Sequence, residues 1–276
     1  MRVLIAGCGY LGRRLGQSLV SEGHEVVGVC RSFSSVQLLE SLHIFPIQLD
    51  LVDAALYVNL PRDVDVVVCA QARSSASESY ESTYYQITTQ LLRYYSSQKP
   101  PAFIFISSTS VYGVQDGAWV DETTDLLRYA SHMNENAQVL MRTEQEVLKY
   151  GGMVLRLSGI YGPGRHRLEA MRKGTFMPSF GEGYTNRIFV ADAVSAIEIV
   201  MKRGTKGETY CVTDDLPVTG KELYGWIYEQ LGLAVPSRVA GVLERGSKRV
   251  SNRKLKQLGW ELRYPSYREG YGELIE

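Results

Sequence analysis

Three closely spaced glycines near the N-terminus constrain the fold of this chain more than any other feature. They lie in the segment Gly7-Cys8-Gly9-Tyr10-Leu11-Gly12. An apolar run at residues 3–6 precedes the segment, a helical pattern at residues 11–21 follows it, and residues 25–29 form a second apolar run. Glycines at this spacing, between a strand and a helix, permit a tight turn, close approach of the backbone to a pyrophosphate and close packing of the helix on the strand. The sequence therefore predicts a strand–helix–strand unit that binds a dinucleotide.

The same unit predicts which residues contact the dinucleotide. The unpaired amides and positive dipole end at the start of the first helix attract phosphate groups. The second strand ends at Arg31 and Ser32, without the acidic residue that would bind a ribose 2′-hydroxyl, and an arginine there can receive a 2′-phosphate. We therefore expect NADP to be favoured over NAD. Asp50 follows the third predicted strand, where it fits the adenine edge or, as an alternative, a turn or helix cap. The predicted cofactor contacts in this part of the chain are Gly7, Gly9, Tyr10, Leu11, Gly12, Arg31, Ser32, Asp50 and Ala70.

Strand and helix patterns alternate along most of the chain. Continuous apolar runs at residues 44–49, 64–70, 103–106 and 153–157 are typical of strands that are covered on both faces. This alternation predicts an α/β fold, a Rossmann-type doubly wound parallel sheet with a small C-terminal α+β substrate lobe. We place the dinucleotide-binding domain at residues 1–157, completed by about 186–212, and the substrate-side lobe at 158–185 and 213–276.

Composition argues against several other classes of protein. Thirty Lys and Arg residues balance thirty Asp and Glu residues, so the chain lacks the basic excess that attracts nucleic acid or an anionic membrane. No apolar run approaches the roughly 18 residues that span a bilayer. The four cysteines form no CxxC pair, which argues against a metal site and favours buried free thiols in a reducing compartment. We expect a cytoplasmic protein that binds a small-molecule substrate, and neither nucleic acid, membrane nor metal.

Further motifs occur in the middle and at the end of the chain. Residues 103–113 read Phe-Ile-Phe-Ile-Ser-Ser-Thr-Ser-Val-Tyr-Gly, which places hydroxyl groups at the end of a predicted strand, where open α/β sheets bind ligands. Residues 155–165, 186–192 and 251–267 carry the other motifs. Together with the glycine segment, they resemble the extended short-chain dehydrogenase/reductase superfamily, whose members include NAD-dependent epimerases and dehydratases of nucleotide sugars. The resemblance covers essentially the whole chain.

The resemblance implies roles for residues outside the glycine segment. It assigns a catalytic hydroxyl to Ser108, with Thr109 beside it. It assigns further cofactor contacts to Ser107 and to the segment Ser158-Gly159-Ile160. Two arginines could supply positive charge for an anionic substrate group. The predicted substrate contacts are Tyr161, Arg165 and Arg187.

One part of the family pattern is absent. The family carries Tyr-x-x-x-Lys on a helix, where the Tyr is the general acid/base and the Lys lowers its pKa. The Lys is needed because a phenol with a pKa near 10 is a poor base at neutral pH. Aligning Thr143-Glu144 with the family's Ala-Glu places Asn136 and Leu140 at these positions. A shift of two residues places Gln138 and Arg142 there, which restores no phenol.

No other tyrosine of the sequence has a lysine four residues later on the expected helix. In the whole sequence, Tyr95 and Lys99 alone have the required spacing, and they precede the serine strand, so we interpret them as incidental. The chain is in this respect similar to the atypical branch of the superfamily, which keeps the cofactor fold and often loses the acid/base residues. Candidate replacements for the acid/base residue are Tyr129, His132, Tyr161 and Tyr112, and none of them is singled out by its sequence context.

Two functions are consistent with these observations. The first is an NAD(P)-dependent reductase, dehydrogenase, epimerase or dehydratase with an atypical active site, acting on a small, sugar-like or nucleotide-sugar substrate. The second is a non-catalytic NAD(P)-binding sensor or interaction protein, which the missing Tyr–Lys pair suggests. We favour the enzyme. A monomer and a homodimer are both compatible with the sequence.

Overall fold

The main sheet of the protein has seven parallel strands in the computed structural model, which describes residues 1–73, 75, 77–96, 100–176, 178, 180–236 and 246–275. The strands of these residues are, in chain order, β1 (Arg2–Ala6), β2 (Glu25–Cys30), β3 (Phe45–Gln48), β4 (Val66–Cys69), β5 (Ala102–Ser108), β6 (Trp119–Val120), β7 (Met153–Leu157), β8 (Gly159–Tyr161), β9 (Tyr184–Thr185), β10 (Arg187–Phe189), β11 (Thr209–Val212), β12 (Val218–Thr219) and β13 (Arg249–Val250).

The α-helices of the same residues are α1 (Tyr10–Ser21), α2 (Phe33–Ser41), α3 (Ile87–Tyr94), α4 (Glu135–Lys149), α5 (Leu168–Arg172), α6 (Val190–Arg203), α7 (Gly220–Gln230), α8 (Arg253–Lys256) and α9 (Tyr267–Ile275). A π-helical segment, Glu81–Gln86, leads directly into α3. Short 3-10 segments lie at Ala54–Asn59, Thr109–Val111 and Leu127–His132. Among the described residues, no helix combines the length and apolarity needed to cross a membrane.

The order of strands in the main sheet is β3-β2-β1-β4-β5-β7-β11. The chain begins at β1, runs outward to β3, returns to β4 on the other side of β1 and continues outward to β11. This is the doubly wound order of a Rossmann-type sheet, so the predicted fold class is confirmed. The direction of winding reverses between β1 and β4. In open α/β sheets, ligands bind outside the carboxyl ends of the strands at such a reversal.

The two strands beside this reversal are almost completely buried. Every residue of β4 is buried, and so are residues 3–6 of β1. Because successive side chains of a strand point to opposite faces, strands buried at every position must be covered on both faces. Their continuous apolar sequences follow from this burial. The edge strand β3, by contrast, carries only exposed or half-buried residues.

Contacts along the chain divide it into two compact units. The first unit comprises Met1–Val111, Asn134–Arg156 and Val194–Tyr210, and the second comprises Tyr112–Met133, Leu157–Ala193 and Cys211–Glu276. The first unit holds β1 to β5 and α1 to α4. The domain boundaries expected from the sequence stay a prediction.

The second unit contains short strands that pair two by two and an aromatic cluster. β8 pairs with β10, β9 with β12 and β6 with β13. The Phe189 ring lies 4.0 Å from that of Tyr264 and 5.3 Å from that of Tyr161, which stacks on Tyr271 at 4.7 Å. The Asp192 carboxylate accepts two backbone hydrogen bonds of 2.9 Å, one of them from the Tyr264 amide. These bonds tie the first turn of α6 to the C-terminal segment.

A buried ion pair joins β5, β7 and α4 inside the first unit. Glu144 of α4 is 1% exposed and Arg156 of β7 is 5% exposed. The Arg156 Nη2 lies 2.7 Å from Glu144 Oε2, and the Arg156 Nε lies 3.1 Å from the same oxygen. The Ser107 hydroxyl, near the end of β5, donates to Glu144 Oε1 at 2.5 Å. A carboxylate buried this deeply is tolerated only when it is paired and hydrogen-bonded, so this network fixes the end of β5 against α4.

Replacing Glu144 with Gln should lower the free energy of unfolding by about 3 kcal/mol, because the buried Arg156 guanidinium would lose its countercharge. Urea unfolding followed by circular dichroism measures the change. The double variant with Glu144→Met and Arg156→Met removes both charges and should be less destabilised than Glu144→Gln. A Glu144→Gln protein as stable as the parent would show that the pair does not support the fold.

Candidate functional site

Four strands of the first unit bring their carboxyl ends into one row at the edge of the sheet. The register pairs Ala6 of β1 with Val29 of β2 and with Cys69 of β4, and it pairs Cys69 with Phe105 of β5. The predicted site residues at the ends of these strands or directly after them therefore lie along one edge. They are Gly7, Arg31, Ser32, Ala70, Ser107 and Ser108.

Packing within the protein accounts for two of the three glycines. Gly7 has a φ of +84°, where a side chain is strained, and a Cβ there would lie 2.4 Å from the Cα of Gln71. A Cβ on Gly12 would lie 3.0 Å from Cγ2 of Ile5, so α1 packs on β1 at a distance that favours glycine. Gln71 was missed by the sequence analysis. It comes from the loop after β4, and its Nε2 donates to Thr88 Oγ1 at 2.9 Å.

Gly9 differs from the other two glycines, because a Cβ on it would meet no atom within 4 Å. The open space lies at the N-terminus of α1, whose first turn carries no acidic residue. Backbone without a side chain, at the positive end of a helix, is the cradle that an anionic group requires. Tyr10 and Leu11 open the helix; Leu11 is buried, and the Arg14 guanidinium lies 3.9 Å from the centre of the Tyr10 ring. The residues present here fit a dinucleotide pyrophosphate.

The end of β2 carries an ion pair that the sequence did not indicate. The Arg31 Nη1 lies 2.6 Å from Glu78 Oε1, and 47 residues separate the two partners in the chain. The Arg31 carbonyl oxygen accepts a hydrogen bond from Gln48 Nε2 at 3.1 Å. The Ser32 hydroxyl accepts a hydrogen bond from the Ser35 amide at 3.2 Å and so caps α2. Arg31 is thus already engaged by a carboxylate.

Two more predicted cofactor contacts of the first unit, Asp50 and Ala70, have local backbone roles. The Asp50 Oδ1 accepts a hydrogen bond from the Val52 amide at 3.1 Å, which matches the alternative role of a turn residue. The Ala70 amide donates to the Ala6 carbonyl oxygen at 2.8 Å and extends the sheet contact beyond β4. The proposed contacts of both residues with a cofactor stay predictions.

The hydroxyl groups at the end of β5 differ in their burial and in their hydrogen bonds. The Ser107 hydroxyl is buried and donates to Glu144. Ser108 is half-buried, and its oxygen accepts a hydrogen bond from the Ser110 amide at 3.1 Å. This bond uses the Ser108 oxygen only as an acceptor, so the hydroxyl can still donate to a ligand. Thr109 is buried and opens a 3-10 segment. Ser108 is therefore the hydroxyl of this strand end that is best placed for chemistry.

Helix α4 contains no tyrosine. Asn136 is exposed and Leu140 is buried, and the sequence predicts that these two residues stand at the Tyr and Lys positions of the family pattern. The Arg142 Nη2 lies 2.6 Å from Glu81 Oε2, and its guanidinium lies 5.0 Å from the centre of the Tyr85 ring. These contacts connect α4 to the π-helical segment. Of the incidental pair, the Tyr95 hydroxyl donates to the Pro61 carbonyl oxygen, and Lys99 lies outside the described residues.

The remaining predicted residues belong to the second unit. Tyr129 is half-buried, and a Cβ on Gly113 would lie 2.6 Å from its carbonyl oxygen. The Ser158 amide donates to the Val212 carbonyl oxygen at 3.0 Å, while the Ser158 hydroxyl is buried and makes no hydrogen bond within the described ranges. Gly159 and Ile160 lie in β8. Tyr161 belongs to the aromatic cluster, and its buried hydroxyl likewise makes no hydrogen bond to the described part of the chain. Their predicted roles stay predictions.

A buried carboxyl group accompanies Arg187 in the second unit. Asp214 is 2% exposed, and its amide donates to the Arg187 carbonyl oxygen at 2.7 Å. Burial raises the pKa of Asp214 to about 8, although the positive charge of Arg187 opposes this shift. The Arg187 Nη1 donates to Thr185 Oγ1 at 2.7 Å. Arg165 is exposed. The sequence missed Asp214, because an Asp-Asp pair in a polar segment gives no sign of burial.

Comparison with known proteins assigns the family. The model of the NAD dependent epimerase/dehydratase family matches residues 3–213, which is most of the chain. The chain belongs to this family. The match includes the glycine segment, the end of β5, α4 and Arg187, whereas the motif at residues 251–267 lies beyond the matched region.

Individual relatives align along most of their length. Protein YeeZ from Escherichia coli (strain K12) is 27% identical in an alignment of length 275 that covers 96% of this chain and 96% of YeeZ. Low-salt glycan biosynthesis protein Agl12 from Haloferax volcanii is 26% identical in an alignment of length 248 that covers 82% of this chain and 79% of Agl12. A crystal structure of dTDP-glucose 4,6-dehydratase from Bacillus anthracis in complex with NAD is 20% identical, covers 100% of this chain and 95% of that chain, and has a TM-score of 0.84. At this identity, the last likeness concerns the fold.

Gly9→Ala should leave the family fold intact and weaken dinucleotide binding by about tenfold or more, because the methyl group would occupy open space in front of α1. Titration with NADH and NADPH measures binding, and the melting temperature reports stability. Gly12→Ala is the comparison variant, since its Cβ would press on Ile5 and lower the melting temperature. Unchanged affinity of Gly9→Ala for both dinucleotides would exclude this space as the pyrophosphate site.

Asp214→Asn should reduce the dependence of stability on pH. The carboxyl group has a pKa of about 8 in the folded protein and an ordinary pKa near 3.9 in the unfolded chain. Between these values the folded protein holds a proton that the unfolded chain releases, so stability is lost as the pH rises toward 8. The melting temperature of the parent should therefore fall from pH 5 to pH 8.5, and the fall should be smaller in Asp214→Asn. An equal decrease in the melting temperatures of both proteins would contradict the claim that burial raises the pKa of Asp214.

Proposed function

We propose that this protein is a nicotinamide-dinucleotide-dependent enzyme that acts on a sugar or nucleotide-sugar substrate. The observation that carries this proposal is the open cradle at Gly9, which lies between the Gly7 turn and the N-terminus of α1 at the carboxyl edge of the sheet. The cradle is the part of the glycine segment that packing within the protein does not require, and a ligand's phosphates would explain it.

The relatives support the same class of chemistry. The name of Agl12 places it in glycan biosynthesis, and the Bacillus anthracis structure is that of a dehydratase of dTDP-glucose with NAD. The family itself is defined as NAD dependent. We therefore assign a nicotinamide dinucleotide as the cofactor, which supplies hydride chemistry when bound.

We assign cofactor roles to residues of the first unit. The backbone at Gly9 and the first turn of α1, with Tyr10 and Leu11, would hold the pyrophosphate. Arg31 and Ser32 would border the adenosine ribose, and Asp50 and Ala70 would border the adenine. Because no acidic residue ends β2 and Arg31 does follow it, NADP is the dinucleotide that we propose as favoured.

We assign the Ser108 hydroxyl to the substrate. It lies at the carboxyl end of β5, half-buried, and its proton is not used by the hydrogen bond from the Ser110 amide. A donor in this place can bind a substrate oxygen and stabilise negative charge that develops on it. Because α4 carries no tyrosine, we propose that the acid/base residue differs from the Tyr of the family pattern.

Turnover of a cofactor-loaded protein tests this proposal. The parent should bind NADH or NADPH and convert a member of a panel of carbonyl compounds and nucleotide sugars, followed by nicotinamide absorbance and by mass spectrometry of the products. Ser108→Ala should lower kcat by about 100-fold, because a donor to a developing negative charge is lost. The affinity for the dinucleotide should not change.

Ser110→Ala is the matched control, because it removes a neighbouring exposed hydroxyl and keeps the amide that contacts Ser108. Its kcat should equal that of the parent. A Ser108→Ala protein with full turnover would remove Ser108 from the active site. Tight binding without turnover of any substrate would favour a non-catalytic sensor, and no binding of either dinucleotide would overturn the proposed function.

A further inference from the structure

Arg31, the residue that could receive a 2′-phosphate, is paired with the carboxylate of Glu78. Arg31 is the first residue after β2, and its Nη1 lies 2.6 Å from Glu78 Oε1. The two side chains are 47% and 24% exposed, so the pair stands at the surface, where a ligand can reach it. Glu78 belongs to the segment between β4 and the π-helical segment. Both residues belong to the first unit.

The segment that carries Glu78 is fixed at several described points. It begins beside the glycine turn, since a Cβ on Gly7 would lie 2.4 Å from the Gln71 backbone. The Arg73 Nη1 donates to the Glu78 carbonyl oxygen at 3.2 Å, and its guanidinium lies 4.7 Å from the centre of the Tyr80 ring. These contacts fix the backbone around Glu78, and the ion pair with Arg31 holds its carboxylate at the end of β2.

This arrangement supplies an acid to a strand that ends without one. A carboxylate near the end of β2 can accept a hydrogen bond from a ribose 2′-hydroxyl, which carries no charge. A 2′-phosphate, by contrast, brings up to two negative charges. To bind Arg31, the phosphate must displace the Glu78 carboxylate from the ion pair. The phosphate and the displaced carboxylate would then lie close together, and their negative charges would repel each other.

We propose that Glu78 is a specificity-determining residue that selects against dinucleotides with a 2′-phosphate by pairing with Arg31. The inference rests on the proposed binding of a dinucleotide at this edge of the sheet. Arg31 by itself favours NADP, and Glu78 reduces that preference. The residue acts on the adenosine end of the cofactor, at a distance from the reacting atoms.

Glu78→Gln tests the proposal, because the amide keeps the size of the side chain and removes its charge. The dissociation constant of NADPH should fall by about fivefold, the upper range for one exposed ion pair, while that of NADH should change by less than about twofold. Isothermal titration calorimetry measures both. The fragments 2′,5′-ADP and 5′-AMP should show the same contrast, since they differ in the 2′-phosphate alone.

Three further variants separate the proposed role from a general effect. Glu22→Gln removes another exposed carboxylate, which lies 2.8 Å from Lys202 beyond the opposite end of α1, and it should change neither affinity. Glu78→Asp keeps the charge and should bind both dinucleotides nearly as the parent does. In an Arg31→Gln background, Glu78→Gln should have a smaller effect on NADPH, because the two residues act as a pair.

The outcomes distinguish this inference from the function on which it rests. If the parent binds both dinucleotides and the ratio of their affinities is the same in folded Glu78→Gln protein, Glu78 does not determine specificity. An equal change in the affinities for both dinucleotides would likewise overturn the inference. It would indicate that the ion pair stabilises the loop and does not distinguish the two cofactors. If the parent binds neither dinucleotide, the proposed function fails, and the inference fails with it.

Discussion

The close approach of the Gly7 turn to the segment after β4 is the constraint on which the edge of the sheet depends. β1 and β4 are neighbours in the sheet, and the chain leaves them in directions that bring Gly7 against the backbone of Gln71. A side chain at Gly7 would force these two connections apart. With glycine there, α1 starts directly at the reversal of winding. The open space at Gly9 and the positive end of α1 then face the same edge as the ends of β2 and β5.

Two ion pairs of this chain, whose net charge is zero, differ in burial and therefore in role. The buried pair of Glu144 and Arg156 is structural, because it is inaccessible to a ligand and holds α4 to β5 and β7. The exposed pair of Arg31 and Glu78 has similar atoms at a similar distance, yet its place at the surface makes it available for exchange with a ligand. Burial thus decides which of two similar ion pairs supports the fold, and we propose that the exposed pair selects the cofactor.

The sequence predicts the parts of the fold that depend on local pattern. The glycine spacing, the apolar runs of β1 and β4 and the helical pattern of α1 act over a few residues, so they can be recognised without the fold. Glu78 could not be assigned to Arg31 in this way, because the partners are 47 residues apart and meet only through the order of the strands. The pairing of β6 with β13 is another long-range contact without a local signal.

The central claim is that the cradle at Gly9 binds the pyrophosphate of a nicotinamide dinucleotide. A crystal structure of the protein grown with NADH and with NADPH tests this claim most directly. The account predicts pyrophosphate oxygens in the open space at Gly9, within hydrogen-bonding distance of the backbone amides in the first turn of α1, with the adenosine ribose beside Arg31. A dinucleotide bound elsewhere, or a cradle that stays without phosphate at saturating concentrations of both, would contradict it.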